Sequence, residues 1–501
     1  MPYENIILGT AGIAVLAYGI DFLYSYFDDP REPRRITPKI PVPVVGHVLG
    51  LLYYGFNYYN ILTQNSDPSE EIYSLGVLGF KIYITKTTRL TQLVAKSKTL
   101  SFTPFLKVPA DAVSSEAFGL FDGALLDKFS TGTKEALAPG PHLDAQNLRM
   151  GRQLLIHANE MLASNEAVGL FAWAKHAIVQ ATAVGLYGAE HPFKNREVED
   201  ALWVWEENRP NQMLGIDPLH KARNARDQVF AAFGEYFGRG LPEDVSYLVT
   251  KRQELLRQGG ISEEDCYKMQ ATLSNAAYPN TVPTLFWTVY GIYSRPELLK
   301  EIRQELWDKV VEKKGDEFIL DVAVLQTECL LLLSTYQEVQ RTRHSQVAWR
   351  MVTEDTTLDR WTLKKGNYLQ MPVRPVHESQ AVYGPAAGEF DPYRFVPKEE
   401  KGRVAPSSFL AWGSAPHLCP ARQFASTEIL IAAALLILRA DLTPVGRDGV
   451  WPHAPEVKSG TPTLPRPKRD IQLRVTPREE GRARWSVVIG RSKARISLAS
   501  G

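Results

Sequence analysis

Residues 407–440 read SSFLAWGSAPHLCPARQFASTEILIAAALLILRA, and Cys419 stands where a broken segment gives way to a long apolar one. Upstream, Gly413 and Pro416 together with the small Ser414 and Ala415 rule out a regular helix and predict a tight loop. Downstream, Pro420 suits the first position of a helix, where a missing N–H costs nothing. The run from Ala421 to Ala440 is apolar on nearly every face, so this helix is expected to be buried. Cys419 then sits at a helix N-terminus, where free N–H groups and the helix dipole favour a thiolate. Taken alone, a free cysteine in apolar surroundings is more often an inert small hydrophobe.

The neighbours of Cys419 reverse that weighting. An aromatic stands seven before it, a glycine six before, a basic residue two before, and Phe-Ala five and six after: Trp412, Gly413, His417, Phe424 and Ala425. WGSAPHLCPARQFA resembles the haem-binding loop of the cytochrome P-450 family. The resemblance implies haem b as cofactor, Cys419 as the axial ligand of its iron, and Trp412, Gly413 and His417 as cofactor contacts. Two departures stand out. Ala415 and Ala421 replace glycines usual in the family, and a left-handed backbone at Ala415 would be strained. His417 replaces the usual arginine and is a weaker, pH-dependent partner for a haem propionate.

With 501 residues and a net charge of +1, the chain is long enough for one large domain and suggests no nucleic acid partner. Its three cysteines, Cys266, Cys329 and Cys419, lack metal-like spacing and argue against a disulfide framework, which fits a domain facing a reducing compartment. Asn5 to Ile20 is almost uninterrupted apolar or small, so residues 1–29 are expected to form a membrane anchor, a transmembrane helix. Arg31, Arg34, Arg35 and Lys39 follow it, which places the remainder of the chain on the cytosolic side. Residues 30–47 read as a basic, proline-rich hinge, with Val45-Gly46-His47 lacking helix potential. Residues 48–477 read as one catalytic domain. Tyr73 to Thr85 is expected as a hairpin about Gly79, and Ile471 to Val475 as its last strand. The aromatic-rich WVWEENRP reads as a helix packing face. The basic composition of 478–501 suggests a disordered tail.

Tyr267 to Tyr293 has a helical pattern that contains Pro279 and Pro283. From the residues alone this is two short helices with a linker. The resemblance implies instead the long helix crossing the distal face of the haem, opened locally beside the oxygen site. NTVPTLFW resembles the branch that holds the sterol 7α/12α-hydroxylases and prostacyclin synthase, in which asparagine replaces the acid of the commoner acid–alcohol pair. Asn280 and Thr281 take those places, and Ala276, Ala277, Thr284 and Thr461 are candidate substrate contacts.

Glu338 and Arg341 lie three apart on one helix face, and an isolated pair of this kind is usually a weak surface bridge. VHESQAVYGPAAGEFDPYRF, however, resembles the family's segment ending in Pro-x-Arg-Phe, which implies that Arg394 joins them in a buried network. Arg350, ahead of a strand–turn–strand expected over Val352 to Leu369, is a candidate propionate partner. The family's other propionate partner is not evident near Leu143 to Glu160, where Arg149 is the one candidate.

The fold implied is mostly α with a small β region, the cytochrome P-450 fold behind an N-terminal transmembrane helix. The function implied is insertion of one oxygen atom from O2 into a lipophilic small molecule (a terpenoid, sterol or polyketide), in secondary metabolite biosynthesis of a fungal kind. No nucleotide-binding glycine motif is present, so NADPH acts indirectly, through a cytochrome P-450 reductase partner with cytochrome b5 as a second donor. Arg422, Lys398, Lys401 and Arg403 are candidate docking charges for that partner. The anchor and the family together imply the endoplasmic reticulum membrane. Two rival readings are a haem-thiolate isomerase or dehydratase that needs no external electrons, and a non-catalytic, membrane-anchored haem protein.

Overall fold

A computed structural model describes residues 28–490 and 495–501, apart from 43–44, 56, 68, 78, 214–216, 398–403, 454 and 458–462. The expected anchor falls on residues outside this range. Among the described residues no helix is long and apolar enough to cross a membrane.

In chain order, the elements that position the site are β1 (Ile72–Val77), β2 (Phe80–Thr85), β3 (Leu100–Ser101), α1 (Gly123–Ala136), α2 (Leu170–Tyr187), α3 (Glu263–Ala271), α4 (Ser274–Tyr293), β4 (Val311–Lys314), β5 (Glu317–Asp321), α5 (Leu330–Arg343), β6 (Val347–Val352), β7 (Tyr368–Pro372), α6 (Arg422–Arg439) and β8 (Arg484–Val488). The chain is mostly helical with small sheets. Gly79 takes φ +91° and turns β1 onto β2, forming the antiparallel hairpin its alternation predicts. That hairpin is the edge of a five-stranded sheet in the order β1-β2-β7-β6-β3, joined by a parallel pairing of β7 with β2. Arg350 therefore lies within β6, and a short extra hairpin (Thr356–Leu358 with Trp361–Leu363) fills the interval before β7.

The apolar run after Cys419 becomes α6, buried from Ser426 to Arg439 and packed against α4. Its first helical residue is Arg422, with Ala421 as a cap lacking a side-chain bond, so Pro420 precedes the helix rather than opening it. Trp203 and Trp205 are buried in the helix Arg196–Met213, as a packing face should be.

Two expectations are corrected and one choice between readings is decided. The hinge does contain helix: it begins at Gly46, because His47 is buried and its ring nitrogens bond the Ile36 carbonyl at 3.1 Å and the Tyr58 hydroxyl at 3.0 Å. The proline-containing stretch is one helix, α4, as the resemblance implies and not two short helices with a linker, and both prolines lie inside it; the break comes earlier, at Thr272 and Leu273, which separate α3 from α4. Tertiary packing on nearly every side outweighs the two rungs the prolines remove. The C-terminal segment is also not a loose tail. β8 pairs in parallel with β5, Trp485 is buried, and Ile496, Leu498 and Ser500 are buried beyond it.

Candidate active site

The loop before α6 turns on Gly413, whose φ is +88° and where an added Cβ would lie 3.2 Å from the His417 carbonyl oxygen. Ala415 is not among the residues with positive φ, so the strain expected there does not arise. The Cys419 N–H donates to the Trp412 carbonyl at 2.9 Å, which folds the loop back on itself. The Trp412 indole N–H is buried without a partner among the described residues.

Cys419 presents its sulfur to the Ala421 N–H, and the Arg422 guanidinium lies nearby. Burial nevertheless raises the thiol pKa above its ordinary value, outweighing both of those influences. This corrects the expectation that the helix N-terminus alone yields a thiolate.

Beside the loop lie Arg350 and His417. Arg350 is 2% exposed and donates only to backbone carbonyls: Trp349 at 2.7 Å, Ser414 at 3.0 Å and Ala415 at 3.3 Å. Burial pushes its pKa down to about 10. His417 is pushed down to about 4 by burial first, then by the charges of Arg350 and Lys134. The Phe102 ring lies 5.3 Å from the His417 ring and 5.6 Å from the Arg350 guanidinium. No carboxylate among the described residues pairs with Arg350. Arg350 therefore suits an anionic group from outside the chain. Lys134, exposed on α1, is a cation whose charge bears on His417 and which no motif marks. Arg149, the candidate sought for the second propionate, donates to the Gly185 carbonyl at 2.9 Å at the end of α2.

On α4 the uncovered positions are Asn275, Ala276, Ala277 and Asn280, while the rest of the helix is buried. Ala276, Ala277 and Asn280 follow helical spacing, so they form one open stripe. Thr281 and Thr284 are buried, and their hydroxyls donate to the carbonyls of Ala277 at 2.8 Å and Asn280 at 2.6 Å. Thr461 lies outside the described residues, as do Lys398, Lys401 and Arg403.

Glu338, Arg341 and Arg394 come together in one network. Arg341 grips the Glu338 carboxylate with two bonds of 2.7 Å, and Arg394 reaches the same carboxylate at 3.2 Å. The Asp391 N–H adds a bond of 3.0 Å, and Arg341 also donates to the carbonyls of His377, Ala387 and Glu389. The side chains of Glu338 and Arg341 are fully buried. The network ties α5 to the segment leading into the Cys419 loop. His377 extends that tie: its Nε2 accepts from the Leu410 N–H at 2.9 Å, so its Nδ1 carries the proton donated to the Arg341 carbonyl.

A cysteine at the turn before α6, the buried Arg350 guanidinium with no carboxylate partner among the described residues, and an open stripe of small residues on an otherwise buried helix fit a haem. Cys419 would ligate its iron, and Arg350, with His417 beside it, would meet a propionate.

The comparisons agree with that fit. A family model described as cytochrome P-450 matches residues 244–468. The chain is 32% identical to the cytochrome P-450 monooxygenase nodJ of Hypoxylon pulicicidum over 99% of both chains. It is 25% identical to a cytochrome P-450 monooxygenase of Gibberella zeae, over 89% of this chain and 88% of that one. A human 7-alpha-hydroxycholest-4-en-3-one 12-alpha-hydroxylase is 25% identical over 46% of this chain and 49% of its own. In fold, the chain resembles a solved retinoic acid-bound cyanobacterial cytochrome at a TM-score of 0.65 and 15% identity, covering 86% of this chain and 96% of that one. With a relative that matches end to end at this identity, the chain belongs to the cytochrome P-450 family of haem monooxygenases.

Proposed function

We propose that the protein inserts one oxygen atom from O2 into a lipophilic terpenoid, sterol or polyketide, as a tailoring step of secondary metabolism. It takes electrons from NADPH through a cytochrome P-450 reductase at the endoplasmic reticulum membrane. The observation that carries this reading is Asn280 on the open stripe of α4 beside Ala276 and Ala277, with the buried Thr281 next to it. When bound, the haem supplies the oxygen chemistry, and the chain's own residues bind, orient and move protons. Thr281 gives a hydroxyl beside the stripe, free to trade its bond to the Ala277 carbonyl for a bond to water. Asn280 holds that water by one donor and one acceptor, but its carboxamide does not change protonation state near neutral pH. Apolar Ala276 and Ala277 leave room for a bulky, water-poor substrate. The anchor expected in residues 1–29 and the similarity to a 12-alpha-hydroxylase support a sterol-like ligand and a membrane setting.

The carboxamide at position 280 also favours a second reading, a haem-thiolate isomerase that has no need of a proton-delivering acid. One experiment separates the two: NADPH consumed, peroxide released and product formed, for wild type and Thr281→Ala, on substrate found by metabolite profiling of the native host. A monooxygenase should show unchanged substrate binding in Thr281→Ala, slower product formation and more peroxide. Product formed by wild type without reductase or NADPH establishes the isomerase instead.

A further inference from the structure

The segment 495–501 runs back onto the start of α6 and is fastened there by side chains adjoining the Cys419 loop. Gln423, 4% exposed and four residues beyond Cys419, pairs with Ile496 in both directions. Its Nε2 donates to the Ile496 carbonyl at 3.0 Å and its Oε1 accepts the Ile496 N–H at 2.9 Å. Gln337, on α5 between Tyr336 and Glu338, accepts the Ala499 N–H at 2.6 Å. Arg422 spans the gap, its Nε donating to the Gly501 carbonyl and its Nη1 to the Cys419 carbonyl, each at 3.3 Å. Ile496, Leu498 and Ser500 are buried beneath this seam, and the Gly501 backbone rests against Pro406, just ahead of the loop. Upstream, the pairing of β8 with β5 ties the same stretch of chain to the body of the molecule.

These contacts join three parts that the haem needs in fixed relation: the loop bearing Cys419, the first turn of α6, and α5 with its buried Glu338 network. We propose that 495–501 is a strap that holds the Cys419 loop in register, with Gln423 as the positioning residue through which it acts. Gln423 suits that task because its one amide satisfies both the N–H and the carbonyl of a buried backbone residue. Any replacement lacking donor and acceptor strands both groups, and the strap detaches. Arg422 passes the constraint on to the carbonyl of Cys419 itself. The inference rests on Cys419 as the axial ligand.

The test follows the thiolate-type spectrum of the reduced carbon monoxide complex at fixed temperature. Four proteins are compared with haem bound: wild type, a chain lacking 495–501, Gln423→Met, and the two changes combined. Gln423→Met is expected to start with the thiolate-type spectrum and lose it about ten-fold faster than wild type, which corresponds to about 1.4 kcal/mol. The far-UV helical signal should persist while that spectrum decays. The combined protein should decay no faster than the truncated one, because Gln423 acts through Ile496. Unchanged decay in Gln423→Met, or effects that multiply in the combination, would overturn the proposal. Failure of the ligand assignment looks different: Cys419→Ala would then keep the thiolate-type spectrum from the outset.

Discussion

At Cys419 the local elements pull in opposite directions. The Ala421 N–H and the Arg422 charge favour a thiolate, burial opposes it, and burial prevails in the chain by itself. A haem iron would coordinate this sulfur, so Cys419→Ala should abolish the thiolate-type carbon monoxide spectrum, and its survival would remove the haem assignment. Glu428, on α6, poses a second conflict. Its carboxyl is buried and, among the described residues, accepts only the Thr182 hydroxyl, at 2.6 Å, and burial pushes its pKa from 4.5 up to about 8. In the unfolded chain it ionises near 4.5, so between there and about 8 the folded state holds the extra proton. Its contribution to stability therefore falls as pH rises through that window and levels off above it. Glu428→Gln should raise the free energy of urea unfolding near pH 8 by on the order of a few kcal/mol and leave it little changed near pH 4. An equal gain at both pH values would contradict this account.

At the scale of elements, the buried carboxylate on α5 organises the segment that leads to the loop. Glu338 faces two guanidiniums and a backbone N–H, so Glu338→Gln strands buried positive charge and should cost about 3–5 kcal/mol in denaturant unfolding. Arg394→Met should cost less. That side chain is 10% exposed, and Glu338 retains both of its bonds from Arg341. A larger loss from Arg394→Met than from Glu338→Gln would show that the network is held together differently. The three members were legible from spacing and motif. The continuity of α4 followed from the family resemblance and not from local rules, which see two prolines and not the packing that encloses them. Lys134 was hidden, since His417, on which its charge bears, lies 283 residues on and no local pattern connects them.

Across the whole molecule, the anchor and the catalytic body are expected to be separable. Removing residues 1–29 should leave haem binding intact and move the protein from the membrane pellet to the soluble fraction. A truncated protein that still pellets after a high-salt wash would require a second membrane contact. The sequence by itself determined the family, the turn at Gly413 ahead of Cys419, the Glu338–Arg341–Arg394 set and the β1–β2 hairpin. Each of these is a motif in which residue type fixes backbone or charge. Tertiary structure alone decided the helix at Gly46, the packing of Arg350 beneath the Cys419 loop and the seating of 495–501 on Gln423. The physical reason is common to all three. A buried histidine, a buried guanidinium and a strap's backbone groups are each settled by partners distant in the chain, and their energies exceed the local preferences that sequence displays.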